Sequence, residues 1–410
     1  VYISFFKNSY YRKNLLYFIN RRSLLFIMII NKHIIINLRN HEITELEFNP
    51  SLNVIYGLNG AGKTTILESI AISSLSKSFM QVSDMSLIRE SENYYQVYTE
   101  ARTDLNNLYK IRITNKKGYR KLINSSYGDN LYPKEIIGVM PLVVLYPDNK
   151  SITFGGPSER RDFVDRLLSQ ASRSYMRSLM KYRKILKQRN NLLSQIKKGY
   201  FNDQGQLNSW TEQLLMTGAE LIFKRNEFVN GFKGFFKSAY ENVAENVEQV
   251  DLEYSSDAPD GFQSDASLSK EDISERLKID QSKLKDEEFR RGTTMLGPQK
   301  DDFVIRINGG TAKEYASQGQ HKSLLIALKF AEFNYLKDAR KETPLILLDD
   351  MFSELDKKRS KKALEMVLET SAQAFVTATE IDKMNSVLPG NADCYKFFVE
   401  KGKVYRLSEQ

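Results

Sequence analysis

Cysteine, histidine and tryptophan are scarce in this chain of 410 residues, which holds one Cys, three His and one Trp. The single thiol, Cys394, excludes an internal disulfide framework and a Cys-based zinc site. His33, His41 and His321 are too few and too scattered for a zinc-hydrolase motif, which needs two on one helical face. Among the first thirty residues the longest apolar run, Leu24 to Ile30, is far short of the about 20 residues that cross a bilayer. Acids are missing from two stretches, residues 1–27 and 171–198. What is present, 41% hydrophobic and 27% charged residues, excludes a mainly disordered chain and suggests two or three lobes.

The net charge is +9, and residues 1–27 carry five of it through Lys7, Arg12, Lys13, Arg21 and Arg22. A signal peptide has the same order of basic then apolar residues, but no small-residue cleavage site follows. This segment is expected to be an upstream extension, with the folded protein starting near Met28.

Ile34–Ile36, Leu46–Phe48 and Leu52–Tyr56 read as short strands. The third runs into Gly57-Leu58-Asn59-Gly60-Ala61-Gly62-Lys63-Thr64, and Thr65–Leu75 has helical spacing. Strand, glycine loop and helix in this order form the context of a phosphate-binding loop. The glycines let several N–H groups converge on one anion, and the helix adds its positive end. Lys63 is placed to reach the β- and γ-phosphates of a nucleotide, and Thr64 to give a hydroxyl to Mg²⁺. Farther on, Leu345–Leu348 reads as a buried parallel strand ending in Asp349 and Asp350. Asp349 is the candidate Mg²⁺ ligand and Asp350 the candidate activator of the attacking water. Before it, Ser317-Gln318-Gly319-Gln320 opens a helix whose free N–H groups make a second anion site.

Phosphate loop, Ser-x-Gly-Gln helix, carboxylate-ended strand and Ser353-Glu354-Leu355-Asp356, in this order, are the arrangement of ABC-type ATPase heads. In that class each ATP lies between the phosphate loop of one subunit and the Ser-x-Gly-Gln helix of the other. The resemblance therefore implies an ATP-dependent homodimer, with Ser317, Gly319 and Gln320 capping the partner's nucleotide. Further motifs narrow it: Asn37-Leu38-Arg39-Asn40-His41, Pro157-Ser158-Glu159-Arg160-Arg161 with Phe163 and Asp165, and Leu296-Gly297-Pro298 with Asp301-Asp302. With these the chain, from about Met28 to its C-terminus, resembles the RecF family of bacterial recombination mediators. The resemblance implies a cytoplasmic protein that acts at single-strand gaps, helped by RecR- and RecO-type mediators to load RecA, with links to replication-fork restart and SOS induction. Leu38, His41, Gln299-Lys300, His321-Lys322 and Pro147-Asp148-Asn149 depart from the family pattern.

The acid-free stretch Ala171–Lys198 contains nine basic residues, Arg173, Arg177, Lys181, Arg183, Lys184, Lys187 and Arg189 among them. Leu179, Tyr182, Ile185, Leu186, Leu192 and Leu193 form an apolar stripe, so the segment predicts a basic amphipathic helix about 40 Å long. Duplex DNA carries one charge per about 1.7 Å of axis, and such a helix suits it. Glu241–Arg290 has 15 acids and 6 bases. It is open to three readings: an internal salt-bridge partner, a guard against nonspecific binding, or a docking surface.

The expected fold is α/β: an ABC-type ATPase head with a mixed sheet and flanking helices, plus a smaller, mainly helical lobe. The head is expected in residues 28–149 and 291–410, and the DNA-binding lobe in residues 150–290. The expected function is ATP-driven clamping of duplex and gapped DNA, with weak ATP hydrolysis as a switch and no membrane partner. Absence of sustained heptads argues against the long arms of chromosome-structuring or double-strand-break ATPases. A transport-type ATPase subunit is the remaining, more distant alternative.

Overall fold

The computed structural model describes residues 26–103, 107–200, 204–244, 248–257, 268–351, 355–389 and 392–407. Residues 1–25 of the expected extension lie outside this set. Phe26 and Ile27 do not: they open strand β1 (Phe26–Leu38), where they pair in parallel with β11 (Glu342–Thr343). Strand β1 thus opens two residues before Met28.

Three sheets organise the molecule. In the first, β1 pairs with β2 (His41–Glu47) and β4 (Tyr94–Thr103), and β5 (Leu108–Lys116) and β6 (Leu122–Ser125) follow. β4 alternates buried and more exposed positions, as a strand covered on one face does. The second sheet runs β15 (Lys403–Arg406), β14 (Cys394–Glu400), β3 (Leu52–Tyr56), β13 (Ala374–Ala378), β12 (Leu345–Leu348) and β7 (Leu142–Leu145). All but β15 are parallel there, and β7, β12 and β13 are buried at every position because both faces are covered. Helix α1 (Lys63–Leu75) lies between the two sheets and is buried on almost every side. Phe48, Phe375 and Phe397 pack edge-on beside it in the same core, with ring centroids 4.8 and 5.8 Å apart.

The helical side consists of α2 (Pro157–Ala171), α3 (Arg173–Lys197), α4 (Gln204–Ala244), α5 (Lys270–Arg291), α6 (Gln318–Arg340) and α7 (Lys357–Glu369). α4 has 41 residues, about 60 Å of helix, and packs on both α3 and α6. Segment 150–290 is therefore not detached from the head, since one apolar core contains residues of both. It also supplies a strand, β8 (Val250–Ser255), to a third sheet with β9 (Asp302–Ile307) and β10 (Gly310–Thr311), so pairing runs across residue 290. No described helix is long and apolar enough to cross a membrane.

Candidate functional site

The loop between β3 and α1 meets the end of β12 because β13 alone separates the two parallel strands. A cavity of about 480 Å³ opens there, lined by Asn59, Gly60, Gly62, Lys63 and Thr64 of the loop and by Asp349, Asp350 and Thr377 from the neighbouring strand ends. Leu58 is exposed at the loop's tip, while Gly57 and Ala61 are buried in its base. Gly62 has φ 116°, and a Cβ there would collide with the side chains of Asn40 and His41. A Cβ on Gly57 would run into the Val399 carbonyl.

The strand turn Leu38–His41 braces this loop from behind. Asn40 donates to the carbonyls of Gly60 (3.2 Å) and Ala61 (2.9 Å), and His41 Nε2 lies 3.0 Å from the Gly62 carbonyl. Thr44 holds the other ring nitrogen of His41 at 2.9 Å. Arg39 reaches the cavity wall and pairs with buried Glu68 of α1, which also accepts from Ser78 at 2.6 Å.

Lys63 Nζ donates to the carbonyls of Gly57 (2.8 Å) and Leu58 (3.0 Å). Burial lowers its pKa, against the pull of Asp350 and Asp349. Thr64 donates to Asp349 at 3.0 Å and Thr377 to Asp349 at 2.8 Å. Burial raises the Asp349 pKa despite these hydroxyls, with the charge of Asp350 adding to the rise. Thr377 also accepts from the Asp350 N–H at 2.8 Å, which fixes the left-handed backbone of Asp350, φ 47°. A buried ammonium held by carbonyls and a desolvated carboxylate held by hydroxyls each call for a counter-charge, an anion at the loop and a cation at Thr64 and Asp349. These residues fit phosphate with Mg²⁺.

Ser317, Gly319 and Gln320 do not line this cavity. Ser317 is exposed at the start of α6 and exchanges hydrogen bonds with Gln320, its hydroxyl accepting from the Gln320 backbone N–H (3.2 Å) and its own N–H donating to the Gln320 side-chain Oε1 (2.7 Å). The Gln320 amide then donates to Glu248 (2.9 Å), which precedes β8. Gly319 leaves room for Arg359, whose guanidinium bonds Ser323 and Asp356. Of the Ser353–Asp356 motif, residues 353 and 354 lie outside the described set.

The family profile of the RecF/RecN/SMC N terminal domain matches residues 29–404. A DNA replication and repair protein RecF of Chloroherpeton thalassium is 35% identical over 347 residues, covering 83% of this chain and 92% of that protein. The chain belongs to the RecF family. A RecF of Salinibacter ruber is 34% identical over 348 residues, 83% of this chain and 82% of that one. The solved structure of the recombination mediator protein RecF with ATP in the RecFOR pathway matches at TM-score 0.84 and 28% identity, over 95% of this chain and all of that one. A Pyrococcus furiosus Smc head bound to the C-terminal domain of ScpA, 15% identical at TM-score 0.51 over 93% and 97% of the two chains, shares the fold.

Two of the motifs that carry the RecF resemblance, those around Arg160–Asp165 and Pro298–Asp302, meet in a largely buried knot. Arg160 grips Asp302 with two 2.8 Å bonds, and Arg161 donates to the Asp301 carbonyl at 2.6 Å. Arg225 of α4 donates to Asp165 (2.8 Å) and the Pro298 carbonyl (2.6 Å), and Tyr254 donates to Asp301. Burial pushes the Asp301 pKa up to about 6. The departures from the family pattern have local partners too: Gln299 accepts from Tyr182, and His321 bonds Thr153 at 3.0 Å. Asn149 is buried, capping its own turn.

The acid-free segment is helical as predicted, over 25 residues, and exposes Arg173, Arg177, Lys181, Arg183, Lys184 and Lys187. Arg183 bonds Asp165 at 3.0 Å but keeps 59% of its side chain exposed. Arg189 corrects the expectation of a DNA contact. It is 1% exposed, inside a cage of Glu288, Thr211 and Thr294, because its position falls on the apolar stripe that packs on α4 and α5. Glu288 belongs to the acidic stretch, as do Asp251 and Glu253, which pair with Lys233 and Arg306, so at these residues that stretch is an internal salt-bridge partner. Arg225, Thr377, Glu248 and Arg359 escaped the sequence reading, since each lies in an ordinary local pattern and acquires its partners only through packing.

Proposed function

We propose that the chain binds ATP with Mg²⁺ in this cavity, pairs with a second copy around two nucleotides, and in that closed state holds duplex DNA beside a single-strand gap. The loop amides and Lys63 bind the β- and γ-phosphates. Thr64 and Asp349 hold Mg²⁺, which, when bound, neutralises phosphate charge. Asp350, fixed by Thr377, orients the attacking water for slow hydrolysis. Ser317, Gly319 and Gln320 cap the nucleotide of the other copy, and Arg173, Arg177, Lys181, Arg183, Lys184 and Lys187 meet DNA phosphates. Kinship with RecF of the RecFOR pathway supports RecR- and RecO-type partners, a cytoplasmic role in replication and recombinational repair, RecA loading and SOS induction.

The observation that carries this reading is the division of the ATPase motifs. Lys63, Thr64, Asp349 and Asp350 share one cavity, and the Ser-x-Gly-Gln helix presents its exposed N-terminus elsewhere. Gel filtration and DNA binding, with and without ATP and Mg²⁺, test it. The wild type should dimerise with ATP, Lys63→Ala should stay monomeric and DNA-free, and Asp350→Asn should accumulate the dimer. A wild type that stays monomeric with ATP, or an Asp350→Asn variant hydrolysing at the normal rate, would refute it.

A further inference from the structure

Helix α7 starts at its cap Asp356 and carries one arginine, Arg359, in its first turn. Asp356 accepts from the Arg359 backbone N–H at 3.0 Å and from its Nη1 at 2.5 Å, while Nε donates to Ser323 of α6 at 3.1 Å. Two edges of the guanidinium are thus fixed, one by a carboxylate of its own turn and one by a hydroxyl of the neighbouring helix. The third is open. Among the described residues Nη2 has no hydrogen-bond partner, and it lies 3.2 Å from where a Cβ on Gly319 would stand. The side chain keeps 34% of its surface in water.

A side chain at position 319 would press on Nη2 and cover it, so the glycine of the Ser-x-Gly-Gln helix is what leaves this donor free. Gln318 and Gly319 open the helix, and N–H groups of a first turn have no partner within it. No acid stands in that turn. The carboxylates that touch the cluster are already engaged, Asp356 by the arginine and Glu248 by Gln320 and Tyr240. Helix amides and a guanidinium that is charged at every working pH therefore border one small face around Gly319.

We propose that Arg359 is a catalytic residue acting in trans: its Nη2 donates to the γ-phosphate of the nucleotide held by the second copy. This rests on the reading of the chain as an ATP-dependent pair in which the Ser-x-Gly-Gln helix caps the other copy's nucleotide. In hydrolysis the water oxygen bonds to the γ-phosphorus as the bond from that phosphorus to the bridging oxygen breaks. The electron pair leaves on ADP, and a water proton passes to Asp350. Arg359 transfers no proton; it stabilises the charge that gathers on the phosphoryl oxygens. Each site then needs Lys63, Thr64, Asp349 and Asp350 of one copy and Arg359 of the other.

Phosphate release by the full chain with ATP and Mg²⁺ tests this. Arg359→Ala should bind a fluorescent ATP analogue like the wild type, since its own phosphate loop is intact, and hydrolyse ATP about a hundred-fold more slowly. Arg359→Lys, which keeps a charge for Asp356 but loses the planar fork, should show a similar loss. Asp350→Asn is inactive for its own reason. Mixed in equal amounts with Arg359→Ala before ATP is added, it should restore about a quarter of the wild-type rate, because half the pairs are mixed and each of those has one complete site. Ser323→Ala removes the anchor on α6 but not the charge and should hydrolyse near the wild-type rate. An inactive mixture, or normal hydrolysis by Arg359→Ala, would overturn the proposal. So would a loss in Ser323→Ala as deep as that in Arg359→Ala, which would make the arginine a prop for α6. A wild type that stays monomeric with ATP would remove the paired reading and the proposal together; a wild type that pairs beside an inactive mixture removes the arginine alone.

Discussion

Arg189→Ala offers a direct test of how the basic helix divides between core and surface. Arg189 and Glu288 are 1% and 2% exposed, and the guanidinium also bonds Thr211 and Thr294. Truncation would leave the Glu288 carboxylate buried without its counter-charge, a change that costs about 3–5 kcal/mol. Neither side chain touches water, so solvent screening does not discount this. Unfolding a chain of this size carries an entropy of about 0.8 kcal/mol per degree, so the melting temperature should fall by about 4–6 °C. Differential scanning calorimetry reads that shift, and the double change Arg189→Met with Glu288→Leu should recover most of it, because no unpaired charge remains. Duplex binding by the folded variant should keep its salt dependence. A phosphate-contacting arginine would behave in the opposite way, with little thermal change and a slope shallower by about 0.9. That second pattern would refute the burial argument and return Arg189 to the DNA surface.

Three other outcomes follow from the site. Gly62→Ala forces a Cβ against Asn40 and His41 at φ 116°, so a fluorescent ATP analogue should lose binding while the circular dichroism spectrum is retained. Asp301 has a pKa raised by burial from 3.8 to about 6, so the native state binds more protons than the unfolded one between those values. Wild-type stability should therefore fall relative to Asp301→Asn as pH rises from about 4 to about 6, by about 3 kcal/mol, then run parallel; parallel melting curves throughout would contradict the shift. Glu248→Ala removes the acceptor of the Gln320 amide. It should weaken ATP-dependent dimerisation in sedimentation while leaving nucleotide affinity of the monomer intact, and an unchanged dimer would mean that this contact does not position the helix.

Much of the site was legible in the chain because its signals are local. A phosphate loop is a run of backbone conformations set by adjacent glycines, and β12 announces itself as four apolar residues ending in two carboxylates. The opening of α6 is equally local, since Ser317 and Gln320 cap each other three positions apart. The acid-free run predicted its helix for the same reason. The start of β1 was less legible, because Phe26 and Ile27 pair as strand with β11, more than three hundred positions away.

The sequence by itself determined the family, the α/β class and which residues form the glycine loop between β3 and α1, because spacing along the chain dictates hydrogen bonding within one turn or strand. Only the tertiary structure decided what each charge is for. Arg183 and Arg189 sit on one helix with the same local composition, yet one keeps most of its side chain in water and the other is sealed against Glu288, 99 positions away. Arg225 and Asp165 likewise meet across 60 positions, and Lys77 and Arg183 come to border one cavity although they lie far apart in the chain. Burial and charge pairing depend on which faces pack together, and no local pattern carries that information.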